Sequence, residues 1–148
     1  MARVSTYLNF AGNAAEAFEF YREVFGGSYL GPIARMGDVP ANPDGPQLTD
    51  AEQQMIMHAQ LEILGGHVLM ATDMLESMGH SLVIGNNTTI NLEPDTREET
   101  ERLYAALSEG STECAPLGEM FWGALWGTCL DRFGVRWMFN YYFPTTQD

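Results

Sequence analysis

Three polar residues alternate with apolar ones over positions 57–63: His58, Gln60 and Glu62. In a β-strand this spacing places all three side chains on one face. A neutral imidazole titrates near physiological pH, so His58 is the candidate for proton transfer, with Glu62 or Glu119 as the catalytic carboxylate that orients it. The simpler interpretation is a structural histidine satisfied by backbone groups, and the sequence leaves both interpretations open.

An aromatic run follows Glu119 and contains Phe121, Trp122 and Trp126. If 122–130 is a strand, the two tryptophans share one face. They either form the floor of an apolar cavity or belong to the core or a dimer contact. Glu119 itself is either a catalytic carboxylate or a residue that caps a turn or solvates the sheet edge.

The remaining reactive residue types carry weaker signals. Cys114 and Cys129 are too few for a disulfide framework and lack the C-x-x-C spacing of redox or zinc sites, so ordinary buried or half-buried thiols are expected. His67 and His80 stand in turn-like or polar surroundings and are expected at the surface.

Composition limits the class of protein. The chain has 148 residues, of which 45% are hydrophobic, enough for one packed domain. Its net charge of −13 repels nucleic acid and anionic lipid, so neither is an expected partner. No apolar run is long enough to span a membrane and the N-terminus does not resemble a signal peptide, which predicts a cytoplasmic protein.

Two segments show the apolar periodicity of amphipathic helices. In 13–25 the apolar residues recur every three or four positions, Asn13 is a candidate cap, and the Gly26-Gly27 pair ends the helix. The segment 97–109 has the same pattern, with Thr96 as its candidate cap and Gly110 as its stop.

Elsewhere apolar and polar residues alternate with a period of two residues, which is the period of a β-strand. The segments 55–63 and 67–72 flank Gly65-Gly66 and predict a hairpin. Further strands are predicted at 5–10, 28–34, 88–93, 122–130 and 135–141. The proline-rich stretch 36–54 predicts a long exposed loop, either a passive insertion or a lid.

The chain contains an internal repeat. An offset of 82 residues places Thr6 on Thr88 and Asn9 on Asn91, and an offset of 68 places GHVLM at 66–70 on GVRWM at 134–138. The difference between these two offsets is roughly the length of the proline-rich stretch, which only the first half of the chain contains. The repeat predicts two strand-helix-strand-strand-strand modules, at about 1–75 and 85–145.

Three blocks carry a family resemblance: YLNFAGNAAEAFEFYREVFGG, MHAQLEILGGHVLMATD and EMFWGALWGTCLDRFGVRWMF, the last with the pattern D-x-F-G-x-x-W-M at 131–138. They resemble the PhnB-like branch of the vicinal oxygen chelate superfamily, which includes glyoxalases, bleomycin resistance proteins and extradiol dioxygenases. The resemblance implies an α+β fold, a single domain over 1–148 whose two βαβββ modules form curled mixed sheets around a cavity, and a homodimer.

Some members of this branch carry the label of a demethylubiquinone methyltransferase. The sequence does not support that activity, because no predicted strand is followed by the Gly-x-Gly loop of a nucleotide-type site.

Metal-dependent members of the superfamily ligate the metal from four strand positions, which the resemblance places at Thr6, Met70, Thr88 and Met138. A one-residue shift in the first strands would substitute Tyr7 and Thr89. Hydroxyls and thioethers are poor ligands for hard divalent cations. No metal and no other cofactor is therefore predicted, although a divalent metal with unforeseen ligands is left open.

The resemblance also implies which residues face the cavity. Met70 and Met138 point inward, and the two-residue period adds their neighbours on the same strands. The predicted substrate-binding residues are Gln60, Met70, Thr72, Trp122, Arg136, Met138 and Asn140. By the same period Trp137 is a core residue beneath a helix, and Asp131 is expected to bind backbone amides in a turn rather than to catalyse.

Together these observations predict a protein that binds a small organic molecule, with metal-independent turnover of a polar substrate left open. One alternative is non-catalytic sequestration of a drug or metabolite in an acidic aromatic cavity. The other is a metal-dependent lyase or dioxygenase with a non-standard ligand set, such as His58 with Glu62.

Overall fold

A computed structural model describes residues 1–145, which contain nine β-strands, three α-helices and two separate mixed sheets. The chain divides into two compact units, Met1–Val83 and Ile84–Asp148. Within the described part of the chain, no helix is long and apolar enough to cross a membrane.

The first unit contains one sheet and two helices. Its elements are β1 (Thr6–Phe10), α1 (Ala14–Phe25), β2 (Ser28–Tyr29), β3 (Ala34–Arg35), α2 (Asp50–Gln54), β4 (Ile56–Glu62) and β5 (Val68–Asp73). The strand order is β1-β5-β4-β2, and β3 also pairs with β4. β1 runs parallel to β5, while β4 is antiparallel to β5.

The second unit repeats this arrangement. Its elements are β6 (Ile90–Leu92), α3 (Arg97–Ser108), β7 (Glu113–Met120), β8 (Ala124–Leu130) and β9 (Arg136–Tyr142). The strand order is β6-β9-β8-β7, again with the first strand parallel to the last. The predicted α+β fold with two βαβββ modules is confirmed, and the single-domain assignment stays a prediction.

Helix α1 buries the predicted stripe, made of Ala14, Ala17, Phe18, Tyr21 and Val24. The Phe18 ring meets the Phe10 ring edge-on, with centroids 6.1 Å apart. The helix ends as predicted at Gly26, which has a left-handed φ of 64°.

The start of α1 differs from the prediction. The exposed Asn13 side chain makes no capping hydrogen bond within residues 1–145. Instead Oδ1 of the buried Asp73, at the end of β5, accepts from the backbone N–H groups of Gly12 and Ala14, both at 3.0 Å. Its Oδ2 accepts from the N–H of Ile56 at 2.8 Å. Asp73 therefore ties the helix start to two strands.

Helix α3 covers the second sheet. Leu103 and Leu107 are fully buried, and the Tyr104 ring packs edge-on against Phe139 of β9 with centroids 5.2 Å apart. The predicted cap is confirmed, because Thr96 Oγ1 accepts from the Glu99 N–H at 3.1 Å.

Two elements were not predicted from the sequence, and one predicted strand begins later than expected. The stretch 36–54 contains α2, which Thr49 and Glu52 begin with a reciprocal capping box. Strand β7 contains Pro116 and a register shift between Ala115 and Gly118. The predicted strand 122–130 begins only at Ala124, since 121–123 form the turn between β7 and β8.

Candidate functional site

Each sheet has one face beneath its helix and one face away from it, here called the helix-free face. On β5 the residues Leu69, Ala71 and Asp73 are buried on the helix side, whereas Met70 and Thr72 are half-buried on the opposite side. The strand ladders carry this alternation across the sheet, because paired residues share a face. The helix-free face of the first sheet carries Tyr7, Asn9, His58, Gln60, Glu62, Met70 and Thr72.

His58 lies in the middle of this face. It is half-buried, and its ring centroid is 6.0 Å from that of Tyr7, with an angle of 30° between the rings. Gln60 stands opposite Met70, which in turn stands opposite Tyr7. The structure thus brings His58 and Gln60 together with Met70, as predicted, and adds Tyr7.

Glu62 shares this face but is too far along the strand to orient His58. Four residues of extended chain span about 13 Å. Glu62 is exposed at the end of β4, opposite Val68 and Ser28. No carboxylate within residues 1–145 is hydrogen-bonded to His58. The catalytic role assigned to Glu62 stays a prediction.

Glu119 lies on the helix side of the second sheet, opposite Leu125 of β8. Its Oε1 accepts a hydrogen bond at 2.9 Å from the Arg97 guanidinium at the start of α3. This hydrogen bond is the main cause that raises the pKa of Arg97, and the bond from Arg97 to Glu101 is the next. An exposed ion pair therefore accounts for Glu119, and its catalytic role also stays a prediction.

The second sheet brings three of the predicted substrate-binding residues together. Arg136, Met138 and Asn140 alternate along the helix-free side of β9. The nearly buried Asn140 donates from Nδ2 to Oδ1 of Asn91 on β6, at 2.7 Å. Asn91 stands opposite Met138 in the parallel ladder, so an amide and a thioether are adjacent on this face.

Arg136 lies at the edge of a cleft of about 410 Å³. Its guanidinium donates to Glu113 Oε2 at 3.0 Å and to the Gly85 carbonyl at 3.1 Å. The cleft also presents the hydroxyl-bearing residues Thr89, Thr112 and Thr128. This combination suits a small polar group, and the ion pair with Glu113 offsets the charge of Arg136.

The role expected of Trp122, in a cavity floor or in a core or dimer contact, stays a prediction. Trp122 lies in the turn after β7, is 48% exposed, and meets Trp126 with ring centroids 6.5 Å apart. Phe121 beside it is 99% exposed. Phe121, Trp122 and Trp126, here called the tip cluster, form an aromatic surface at the end of the β7–β8 hairpin.

The pattern D-x-F-G-x-x-W-M has a structural explanation. Buried Asp131 accepts at Oδ1 from the N–H groups of Phe133 and Val135, and at Oδ2 from Nε1 of Trp137 at 2.8 Å. Gly134 has a φ of 88°, which favours glycine. Asp131 holds the turn and Trp137 lies in the core, as the sequence predicts for both.

The ladder decides which residues occupy the metal-ligand positions of the superfamily. Tyr7, not Thr6, stands opposite Met70, because Thr6 is on the helix side with Oγ1 2.9 Å from Nε2 of His67. In each unit these positions hold a methionine thioether, which is a soft ligand, beside a neutral group, the phenol of Tyr7 or the amide of Asn91. Neither pair supplies the anionic oxygens that a hard divalent cation prefers. In the part of the chain that the structure describes, no three His, Cys, Asp or Glu residues are grouped to hold a metal.

Sequence reasoning gave Tyr7 only as a shifted alternative and did not single out the pairing of Asn91 with Met138. Both depend on the register of a parallel strand pair, which a local pattern does not encode. The alternation in TYLNF was the one local signal, since Tyr7 and Asn9 flank apolar Leu8.

The fold and these faces define a class of protein with paired βαβββ modules. A solved structure from Burkholderia phytofirmans, described as a glyoxalase/bleomycin resistance protein/dioxygenase family enzyme, is 17% identical and superposes with a TM-score of 0.59, covering 93% of this chain and 98% of that one. At this identity the similarity shows the fold alone.

Proteins more similar to this chain identify the family within this class. Protein PA1353 from Pseudomonas aeruginosa is 36% identical with a TM-score of 0.80, covering 96% of this chain and 98% of that one. The Bacillus cereus structure described as a putative 3-demethylubiquinone-9 3-methyltransferase, PhnB protein, is 23% identical with a TM-score of 0.74, covering 95% and 99%. Protein YjdN of Escherichia coli K12 is 31% identical over 146 residues, 93% of each chain.

The model of the family described as 3-demethylubiquinone-9 3-methyltransferase matches residues 2–139. The chain belongs to this PhnB-like family, as the resemblance implied.

The residues present do not fit the methyl-donor site that the family description implies. A nucleotide-type site needs free backbone N–H groups in the turn after the first strand. In this turn the N–H groups of Gly12 and Ala14 are already bound by the carboxylate of Asp73.

Proposed function

We propose that the chain binds a small polar organic molecule on the helix-free face of its first sheet, with His58 as the acid-base group of a metal-independent reaction. The observation that supports this most is the convergence of Tyr7, His58, Gln60 and Thr72 on one face, half-exposed around a thioether. In the same proposal the chain is a cytoplasmic homodimer without nucleic-acid or membrane partners.

Each residue of this face supplies a different chemical group. The imidazole of His58 can accept a proton from a ligand or donate one to it. Its neighbour Tyr7 supplies an aromatic face and a hydroxyl, and Gln60 supplies both an amide donor and an acceptor. Met70 adds a deformable apolar contact between them. Such a face suits a ligand with an apolar body and hydrogen-bonding substituents.

The test is a library of small polar molecules screened by ligand-detected NMR against the wild type, His58→Gln and His80→Gln. His58→Gln should weaken the hits at least tenfold, whereas His80→Gln should bind within about twofold of the wild type. The matched control makes the same change at an exposed histidine outside the sheet. Equal binding by all three proteins would reject the assigned face.

Turnover is tested with the hits themselves. Product formation that survives EDTA and is lost in His58→Gln supports the metal-independent enzyme. Product formation that EDTA abolishes supports the metal-dependent lyase or dioxygenase instead. Binding without product leaves a sequestration protein.

Sequestration has its own supporting observation, the tip cluster. Its exposed rings can take up a cationic aromatic molecule, each contact contributing about 0.5–2 kcal/mol, and the net charge of −13 attracts such ligands. Cationic dyes should then quench tryptophan fluorescence in the wild type more strongly than in Trp122→Leu. Quenching by anionic molecules alone would contradict this second candidate.

A further inference from the structure

We propose that Cys114 and Cys129 form a redox-active dithiol that closes to a disulfide when the exposed thiol is oxidised. The two residues lie on neighbouring strands, Cys114 on β7 and Cys129 on β8, and they are direct partners in the antiparallel ladder. Direct partners point to the same face of the sheet. The two thiols, 15 positions apart in sequence, are therefore adjacent in the fold.

The ladder geometry suits the bond. Directly opposed residues of an antiparallel pair have Cα atoms about 4.5 or 5.5 Å apart, depending on the hydrogen-bonding pattern. Disulfides form at Cα separations of about 4.4–6.8 Å. Closure therefore requires side-chain rotation and little movement of the strands.

Tyr104 of α3 gives independent evidence that both thiols point to one place. Burial raises the pKa of the Tyr104 hydroxyl, and the neighbouring thiols of Cys114 and Cys129 raise it further. The same hydroxyl donates to the carbonyl of Ala115, the residue after Cys114, at 3.3 Å. The dithiol therefore lies on the helix side of the sheet, beside Tyr104.

The two thiols differ in their exposure to solvent. Cys114 is exposed, whereas Cys129 is 3% exposed. Burial, followed by the charge of Asp131, raises the pKa of Cys129 to about 12. An oxidant from solvent therefore reaches Cys114 first, and Cys129 acts as the resolving thiol.

The chemistry needs a two-electron oxidant, and a hydroperoxide supplies it. The Cys114 thiol attacks the hydroperoxide, giving a sulfenic acid and releasing an alcohol, or water when the oxidant is hydrogen peroxide. The Cys129 sulfur then attacks the sulfenic sulfur. The S–S bond forms, the S–O bond breaks, and the thiol proton leaves with the hydroxide as water. A dithiol reductant reverses the reaction.

The sequence allows an unambiguous test. Trypsin cuts after Arg102 and Arg132, so both cysteines fall in one peptide, 103–132, and cyanogen bromide cuts that peptide after Met120, between them. Full-length protein is treated with hydrogen peroxide, alkylated and cleaved. We expect peptides 103–120 and 121–132 to remain joined, with a mass two hydrogens below their sum, and to separate after reduction.

Two controls make the outcome decisive. An equal mixture of ¹⁵N-labelled and unlabelled chains should give only uniformly labelled or unlabelled pairs, whereas mixed pairs would mean a bond between chains and overturn the proposal. Cys129→Ser should accumulate sulfinic acid or a mixed disulfide on Cys114. Sulfinic acid on Cys114 of the wild type at the same rate, with the two peptides separate, would also overturn the proposal.

Discussion

Two buried carboxylates, Asp73 and Asp131, have structural roles, and each accepts three hydrogen bonds from N–H donors. Five of the six donors are backbone N–H groups in turns or at the ends of helices and strands, and the sixth is the indole N–H of Trp137. A buried carboxylate whose two oxygens both accept from N–H groups stabilises the fold around it. The sequence indicated the turn role of Asp131, whereas it did not single out Asp73.

Replacing Asp73 tests the anchor at the start of α1. Asp73→Ala leaves the N–H groups of Gly12, Ala14 and Ile56 without their acceptor, and should lower the free energy of unfolding by about 2–4 kcal/mol. Asn13→Ala, at the cap position predicted from sequence, should cost only about 0.5 kcal/mol or less, because the side chain makes no capping bond in the described chain. Urea titrations of both variants measure this, and a larger loss in Asn13→Ala would contradict it.

The raised pKa of Cys129 predicts that the free energy of unfolding depends on pH. Its pKa is raised from 9.0 to about 12 by burial, so the folded state favours the neutral thiol. The contribution of this thiol to the free energy of unfolding is therefore complete below pH 9. It is lost as the pH rises from 9 toward 12, and the total loss is on the order of 4 kcal/mol.

The pH prediction is checked by comparing urea unfolding of reduced wild type and Cys129→Ala at several pH values. Tyr104, whose pKa Cys129 helps to raise, stays in both proteins, so the difference between the curves reports the thiol together with its coupling to Tyr104. Parallel curves from pH 9 to 11 would show that the buried thiol does not contribute.

The candidate site was predictable at the residue scale where it depends on alternation alone. His58 and Gln60, and likewise Arg136, Met138 and Asn140, share faces because a strand has a period of two. The pairing of Tyr7 with Met70 and of Asn91 with Met138 depends on ladder register, and the placement of Glu119 against Arg97 depends on tertiary packing. A local sequence pattern encodes neither the ladder register nor this tertiary packing.

At the element scale, the helix α1 ends through two glycines that act for different reasons. Gly26 adopts a φ of 64°, whereas a Cβ on Gly27 would lie 2.0 Å from the backbone oxygen of Glu62. The first glycine supplies a conformation and the second supplies space for the close approach of β4.

Alanine substitutions should separate these two roles. Gly26→Ala should cost about 1 kcal/mol, the strain of a left-handed residue. Gly27→Ala should cost more, about 2–4 kcal/mol, because the backbone of β4 must shift and the short β2–β4 pairing is disturbed. Chemical denaturation gives both values, and equal costs would argue against the steric role of Gly27.

The elements with clear periodicity were predictable, and those that tertiary pairing creates were not. Strands β4, β5 and β9 and helices α1 and α3 follow from alternation and amphipathic stripes. Strand β7 contains Pro116 and Gly118, which disfavour a strand locally, and it forms because β8 offers it a partner edge. Helix α2 has five residues, too few for a periodic signal, and depends on the Thr49 cap.

The repeat is the feature that links elements to the whole molecule. The sequence overlay placed Asn9 on Asn91, but the ladders place Tyr7 opposite Met70 and Asn91 opposite Met138. The two first strands are therefore shifted by two residues relative to the overlay. Because two is the period of a strand, the shift preserves which side chains lie on the helix-free face.

At the scale of the whole molecule, the surface combines a net charge of −13 with an exposed aromatic hairpin tip. Like-charged molecules repel, so self-association needs a local apolar contact strong enough to overcome this repulsion. The tip cluster is the candidate for such a contact, since Phe121 is almost fully exposed. Added salt should therefore strengthen self-association, by screening the charge while leaving the apolar contact intact.

The expected homodimer is tested by sedimentation at several salt concentrations. The wild type should sediment with twice the chain mass, and Phe121→Ser should shift the population toward the monomer by at least tenfold in dissociation constant. Val83→Ser, which changes another exposed apolar residue that is not part of the tip cluster, is the matched control and should sediment as the wild type does. A monomeric wild type, or a dimer that persists unchanged in Phe121→Ser, would show that these rings serve another purpose, such as ligand capture.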